Sequence, residues 1–285
     1  MMGGCLSLSD VEVRRGGRAI LSAHDMQIRR GEFVGIIGTN GAGKTTLLQV
    51  CCGLIRPTRG TVKLDGRDLA EVGAWRRANL RKHIGYIPQA AEYNAELPFT
   101  LREVVAMGRT GVKSLLSRMN AADYEIVDAW ISKLGLADRR NQTFRSLSGG
   151  EQQKALVARA MAQDPEILML DEPCSNLDFN WKHQITEIIG RLHRQTEVTV
   201  VMVSHETSLL PPSCGRIVLL HEGEVLADGD AGQIFESDML EKAYHCPIET
   251  LEVAGRRYTV NRHGVKTTTE RTKGRKEDGR CSSSI

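Results

Sequence analysis

Gly38-Thr39-Asn40-Gly41-Ala42-Gly43-Lys44-Thr45 sets glycines, a lysine and a hydroxyl in the spacing GxxxxGK[ST]. Those residue types suit one task, holding a phosphate chain. Glycines let the backbone curl until successive N–H groups point inward at an anion. A helix starting near Lys44 adds the positive end of its dipole. The Lys44 ammonium can reach the β- and γ-phosphates, and the Thr45 hydroxyl is a hard oxygen ligand for Mg²⁺. Thr46 ends the segment and reads mainly as a helix-packing residue.

A second chemical signal is the acid pair at the end of Ile167-Leu168-Met169-Leu170-Asp171-Glu172. Ligands of open α/β sheets sit at the carboxyl ends of strands, where this apolar run delivers both acids. Asp171 is placed to hold Mg²⁺, and Glu172 to orient and deprotonate an attacking water as general base. A third signal is Leu147-Ser148-Gly149-Gly150-Glu151-Gln152. Ser148 and Glu151 have capping-box spacing, so a helix should start at Ser148 with Gly149 and Gly150 leaving its N-terminus unobstructed. That arrangement makes a second anion site.

The elements that must position these residues follow from periodicity. Leu6, Leu8, Val11 and Val13, then Ile20, Leu21, Met26 and Ile28, alternate on either side of Arg15-Gly16-Gly17-Arg18, as short antiparallel strands do. Phe33–Ile37, Ile167–Leu170, Val198–Val203 and Ile217–Leu220 are continuous apolar runs expected of strands buried on both faces. Helical patterns separate most of them, which predicts an α/β layer with a parallel sheet. Residues 90–163 read as mostly helical, a subdomain inserted into the core. A short strand at Glu224–Ala227 leads to an appendix over 231–261.

At 285 residues, 41% hydrophobic and 26% charged, the chain can bury a sizeable core. No apolar run approaches the roughly 18 residues of a membrane span. The seven cysteines include no CxxC, and reduced thiols are expected. Residues 262–285 hold seven Lys/Arg against three Asp/Glu, a charge of +4, while the whole chain carries +3. The body is therefore near −1, which argues against a broad nucleic-acid surface; the tail reads as mobile. The eight histidines are scattered without HxxxH spacing, so Mg²⁺ is the only metal expected.

GTNGAGKT, the lone glutamine of Ile87-Pro88-Gln89, LSGGEQQ, ILMLDE, Ser175-Asn176-Leu177-Asp178 and Val203-Ser204-His205 occur in that order. The set resembles the ATP-binding cassette of ABC transporters over about residues 5–230. The resemblance implies a P-loop NTPase (RecA-like) core with an antiparallel β subdomain and an inserted α-helical subdomain. It implies ATP and Mg²⁺ as ligands, with Gln89 beside Thr45 and Asp171 at the metal and His205 as a switch against the γ-phosphate. It also implies two cassettes, expected to be identical copies, paired head to tail. Each ATP then lies between Gly38–Thr45 of one copy and Ser148, Gly149 and Gly150 of the other, with Asp178 in a loop crossing the interface.

One position departs from the family. Members carry an aromatic near the N-terminus that stacks on adenine; this chain has Arg14-Arg15-Gly16-Gly17, and Arg15 is the candidate replacement, because a guanidinium plane can stack on a base. With no span of its own, such a chain is expected to sit peripherally at the cytoplasmic face of the inner membrane, docked on integral-membrane permease subunits. An extracytoplasmic substrate-binding protein is an indirect partner, and no nucleic acid is expected. Pro98–Arg109, Tyr244–Ile248 and Gly255–Tyr258 resemble the corresponding parts of importers of metals and metal chelates, the siderophore, haem, cobalamin and zinc or manganese systems. The alternatives are a cassette for another cargo, an exporter ATPase, and a soluble non-transport cassette. The guanine-reading NKxD pattern is absent, which weighs against a GTPase.

Overall fold

A computed structural model describes residues 5–89, 98–114, 117–236 and 238–262. The basic tail over 263–285 lies outside the described residues, as does part of the stretch after Gln89.

The N-terminal alternation forms β1 (Leu6–Arg15), β2 (Arg18–Ala23) and β3 (Met26–Ile28); β1 pairs antiparallel with both others and with β5 (Arg59–Leu64), which in turn carries β6 (Arg67–Asp68). The buried runs become β4 (Phe33–Gly38), β8 (Ile167–Asp171), β9 (Thr199–Val203) and β10 (Arg216–His221). With β7 (Ile84–Ile87) they form a parallel block in the order β10-β4-β9-β8-β7. The turn at 222–223 returns the chain as β11 (Glu224–Asp230), antiparallel to β10 and bridged to β2, so one continuous sheet of eleven strands joins both parts.

The sheet has a separate core on each face because successive strand residues point opposite ways. Phe33, Leu168, Leu170, Val200, Met202, Ile217 and Leu219 face one core, with α6 (Phe179–Thr196) and the helical insert. Val34, Ile36, Ile167, Met169, Val201, Val203, Val218 and Leu220 face the other, with α1 (Lys44–Cys51) and the antiparallel strands. Cys51 and Cys52 are buried in this second core. A short helix, α2 (Ala74–Arg81), precedes β7.

The insert consists of α3 (Leu101–Val112), α4 (Ala121–Lys133) and α5 (Gly149–Ala162). Each begins with a reciprocal capping box, Thr100 with Glu103, Asn120 with Asp123, and Ser148 with Glu151. Such caps stabilise a helix start by typically about 1 kcal/mol and satisfy two orphan donors apiece. Behind β11, α7 (Ala231–Glu236) and α8 (Met239–Tyr244) lead to a hairpin of β12 (Ile248–Val253) and β13 (Arg256–Asn261). Thr259 ties this hairpin to Thr207, through an N–H bond of 3.2 Å and a hydroxyl pair at 3.2 Å.

Candidate functional site: a nucleotide cleft and a separate signature face

β4 ends in the turn that its glycines permit. Gly38 has φ +147°, and a Cβ there would lie 2.1 Å from the Leu220 carbonyl oxygen. Gly43 has φ +92° and caps α1 without any side-chain hydrogen bond; the first turn of α1 holds no acid. The amides at this helix end are therefore left to an external anion. Lys44 is buried, and its ammonium donates to the Gly38 and Thr39 carbonyls at 2.9 Å each. Burial pushes its pKa below the ordinary lysine value, while the charges of Glu172 and then Asp171 oppose that shift.

β8 lies two strands from β4, across β9, and carries Asp171, wholly buried, to the same end of the sheet. The Thr45 hydroxyl donates to Asp171 Oδ1 at 3.1 Å. Glu172 leaves the strand at φ +46° with its N–H donating to the Val203 carbonyl at 3.2 Å. A left-handed conformation costs a non-glycine residue about 1–2 kcal/mol, and here it turns the carboxylate toward the cleft. Gln89, just beyond β7, donates from Nε2 to Glu172 Oε2 at 3.2 Å, and His205 Nδ1 lies 3.5 Å from the same oxygen. On its other side His205 Nε2 lies 3.4 Å from Glu206 Oε1, and Lys182 also pairs with Glu206.

These groups enclose a cleft of about 560 Å³, lined by Arg15, Ile20, Asn40, Gly41, Gly43, Lys44, Thr45, Thr46, Gln89, Glu172 and His205. Gly38 and Thr39 contribute the carbonyls that hold Lys44, Ala42 is buried beneath the loop, and Asp171 joins through Thr45. Arg14 is occupied elsewhere, bonding Glu12 at 2.7 Å and the Gly17 carbonyl at 2.9 Å, so it is Arg15 that reaches the rim. Ile20 was not foreseen as a site residue. Its signal was available: on β2 it alternates with the fully buried Leu21 and is only partly buried at the margin of the core, which leaves it a side open to the cleft.

Ser148, Gly149, Gly150 and Asp178 do not line this cleft. They gather on a face of their own. Asp178 caps α6 by accepting from the Trp181 N–H at 2.9 Å, and the Trp181 ring lies flush against Gly150. Leu177 Cδ2 would be 3.3 Å from a Cβ on Gly149. Ser148, Gly149, Asp178 and Phe179 are exposed, Phe179 by 79%. Within this face Glu151 Oε2 accepts from the Ser148 N–H at 2.9 Å and its hydroxyl at 2.8 Å, and these bonds hold the Glu151 carboxyl below its ordinary range.

A glycine-lined anion loop at the head of a parallel sheet, with a lysine inside it and an acid pair on a nearby strand end, defines a P-loop nucleoside triphosphatase. A family model described as ABC transporter matches residues 21–175. A hemin import ATP-binding protein of Rhodopseudomonas palustris is 36% identical over 257 residues, covering 85% of this chain and 89% of the relative. A high-affinity zinc uptake system ATP-binding protein of Bacillus subtilis is 34% identical over 220 residues, 77% of this chain and 92% of the relative. A solved dimeric ATP-binding cassette in a post-hydrolysis state bound to ADP and Pi superposes with a TM-score of 0.70 at 27% identity, over 79% of this chain and 98% of that one. The chain belongs to the ABC transporter family.

Proposed function

We propose that this chain is the ATP-hydrolysing subunit of an importer for a metal ion or metal chelate, working as a pair of identical copies docked on membrane permease subunits. The observation that carries the reading is the division of the site: the phosphate loop and the Ser148–Asp178 face lie on different surfaces of one chain. Two copies arranged head to tail would bring the face of each to the nucleotide of the other. The cargo class rests on the relatives, which are import ATP-binding proteins for hemin, zinc, petrobactin and cobalamin. Among the described residues no helix is long and apolar enough to cross a membrane, and the reading assigns the transport path to the permease subunits. Peripheral attachment at the cytoplasmic face and cargo delivery by an extracytoplasmic binding protein complete the reading.

Mg²⁺ fits the donors present. Thr45 and Asp171 already sit 3.1 Å apart, and with the Gln89 amide oxygen they form a set of hard oxygen ligands. Bound there, Mg²⁺ would neutralise charge on the phosphates. The protein's own groups supply the rest. Lys44 exchanges the Gly38 and Thr39 carbonyls for phosphate oxygens, a stronger charge-assisted bond. Glu172, aimed by its backbone and held by Gln89, takes a proton from the attacking water. His205, between Glu172 and Glu206, is the group this reading assigns to the γ-phosphate. Closing and reopening of the pair would move the permease.

Light scattering with ATP tests the division of labour. Glu172→Gln should bind ATP, accumulate as a closed dimer and turn over at least a hundredfold more slowly. Ser148→Arg should bind ATP as a monomer and fail to pair. Glu172→Gln staying monomeric at saturating ATP, or Ser148→Arg pairing like the wild type, would refute the shared site.

A further inference from the structure

Three side chains distant in sequence meet where the appendix joins the core. β10 ends on His221, Glu222 follows in the turn, and His245 caps the end of α8. One ligand atom from each lies within 4.8 Å of the other two. The imidazoles stand edge to face with centroids 4.9 Å apart. The histidine spacing gave no metal site, and the grouping of these three comes from the fold alone. Spacing along the chain conveys nothing about a strand end and a helix cap that only tertiary packing brings together.

Two imidazoles and a carboxylate are the ligand set of a divalent transition ion with a fourth position open to solvent. His221 Nδ1 is buried without a hydrogen-bond partner among the described residues, which a metal bond would satisfy. Metal–ligand distances of about 2.0–2.2 Å put tetrahedral ligands about 3.4 Å from one another. The trio must close by roughly 1.4 Å at most. Glu222 and His245 are exposed and have room to do so.

The cluster also touches the root of the phosphate loop. Leu220, next to His221, pairs with Gly38 in the β10–β4 ladder so closely that its carbonyl would lie 2.1 Å from a Cβ there. Tyr244, next to His245, turns its hydroxyl to the Gly38 backbone, short of a well-formed hydrogen bond. Gly38 is also one of the two carbonyls that hold Lys44. We propose that His221, Glu222 and His245 bind a divalent transition-metal ion such as Zn²⁺, and that the bound ion, by clamping α8 to the end of β10 around Gly38, resists release of Lys44 to phosphate and slows ATP turnover. The proposal is independent of the cargo.

The test uses full-length, nucleotide-free protein and Zn²⁺ alone, titrated in competition with a chromophoric chelator. One Zn²⁺ per chain should bind, at least tenfold more weakly in His245→Asn and in Glu222→Gln. Asparagine is chosen because residue 245 has φ +52°, which asparagine tolerates. Co²⁺ in place of Zn²⁺ should give a tetrahedral visible spectrum without a thiolate charge-transfer band. Wild-type affinity in both variants, or a thiolate band that His245→Asn leaves untouched, would overturn the site. In Mg²⁺-ATP turnover, Zn²⁺ should slow the wild type severalfold and His245→Asn hardly at all. Equal slowing of both would put Zn²⁺ at the Mg²⁺ position and overturn the coupling.

Discussion

One methyl group at Gly150 should separate stability and pairing from nucleotide binding. A Cβ there would lie 1.9, 2.2 and 2.5 Å from Cδ2, Cε3 and Cε2 of Trp181, far inside the 3.5–4.0 Å of good carbon contact. The indole must move by roughly 1.5–2 Å. Lys154 lies over the ring at 4.9 Å and hinders rotation, and any part of the shift taken up by the backbone would disturb the Trp181 main-chain N–H that bonds the Asp178 cap at 2.9 Å. Overpacking of this kind costs about 1–3 kcal/mol and a disturbed cap about 1, against roughly 1 kcal/mol gained by replacing a helical glycine with alanine. A net loss of about 1–3 kcal/mol should lower Tm by roughly 2–4 °C for each kcal/mol. Gly149→Ala is the control, since its Cβ would meet only the end of Leu177 at 3.3 Å and should leave Tm nearly unchanged.

Three assays read this out. Thermal melts should rank wild type and Gly149→Ala above Gly150→Ala. Fluorescent-nucleotide titration should give all three the same affinity, because the phosphate loop is untouched. ATP-driven pairing and turnover should fall at least tenfold in Gly150→Ala, through displacement of Asp178. Trp181→Ala removes the obstructing ring, so in the double variant the methyl group should add little further destabilisation, a non-additivity expected of residues in contact. Additive losses, or a Gly150→Ala that melts with the wild type, would refute the steric argument.

Three further outcomes follow from the cleft and the insert. Lys44→Ala should weaken nucleotide binding by roughly 10–100-fold, the loss of one or more charge-assisted bonds, and undiminished affinity in a fluorescence titration would contradict the loop assignment. Arg15→Ala should weaken ATP a few-fold, in keeping with about 0.5–1 kcal/mol for an exposed cation–π contact, whereas Arg15→Trp should restore binding; no response to either would remove Arg15 from the base. The insert should be acid-sensitive. Hydrogen bonds from Lys113 and then the Asn120 amide hold Asp123 down to about 2, from an ordinary 3.8, and hydrogen bonds likewise hold Glu103, Asp128 and Glu151 low. Depressed carboxyls stabilise fully above their unfolded values and lose that contribution as pH falls through the folded ones. Hydrogen exchange in α3–α5 should therefore rise between about pH 4 and pH 2, and Asp123→Asn should flatten the change.

Much of the site is legible because its parts are local. The phosphate loop is eight consecutive residues, and its helix start needs only the amides that follow. The capping box at Ser148 is four residues long and forms where its spacing predicts. The same pattern at Thr100 and Glu103 went unread, although the signal was equally plain. Strand runs were recognisable because a strand buried on both faces must be apolar throughout. Strand order was not, because pairing partners are chosen by surfaces distant in sequence. Yet the order decides the chemistry: β9 between β4 and β8 puts Thr45 3.1 Å from Asp171, 126 residues away.

The residues that escaped the sequence share one property, that their partners are non-local. Ile20 matters only because β2 lies over the loop, with its carbonyl 2.8 Å from a Cβ on Gly43. Trp181 matters only because α6 begins against α5. His221 and His245 matter only because α8 returns to the end of β10. All three are contacts between the core and something added to it: a strand of the antiparallel part, a helix of the insert, a turn of the appendix. A motion of any addition would then reach the phosphate loop or the signature face through one tight contact, of Gly43 with the Ile20 carbonyl, of Gly150 with the Trp181 ring, or, by way of β10, of Gly38 with the Leu220 carbonyl. At each of them a Cβ would come closer than 3.0 Å to its neighbour, as it also would at Gly35, Gly60 and Gly108 elsewhere in the fold. If the additions sense permease, partner copy and ion, these three close approaches are where each signal must pass. Coupling should then be lost more readily than nucleotide affinity by substitutions on the far side of each contact.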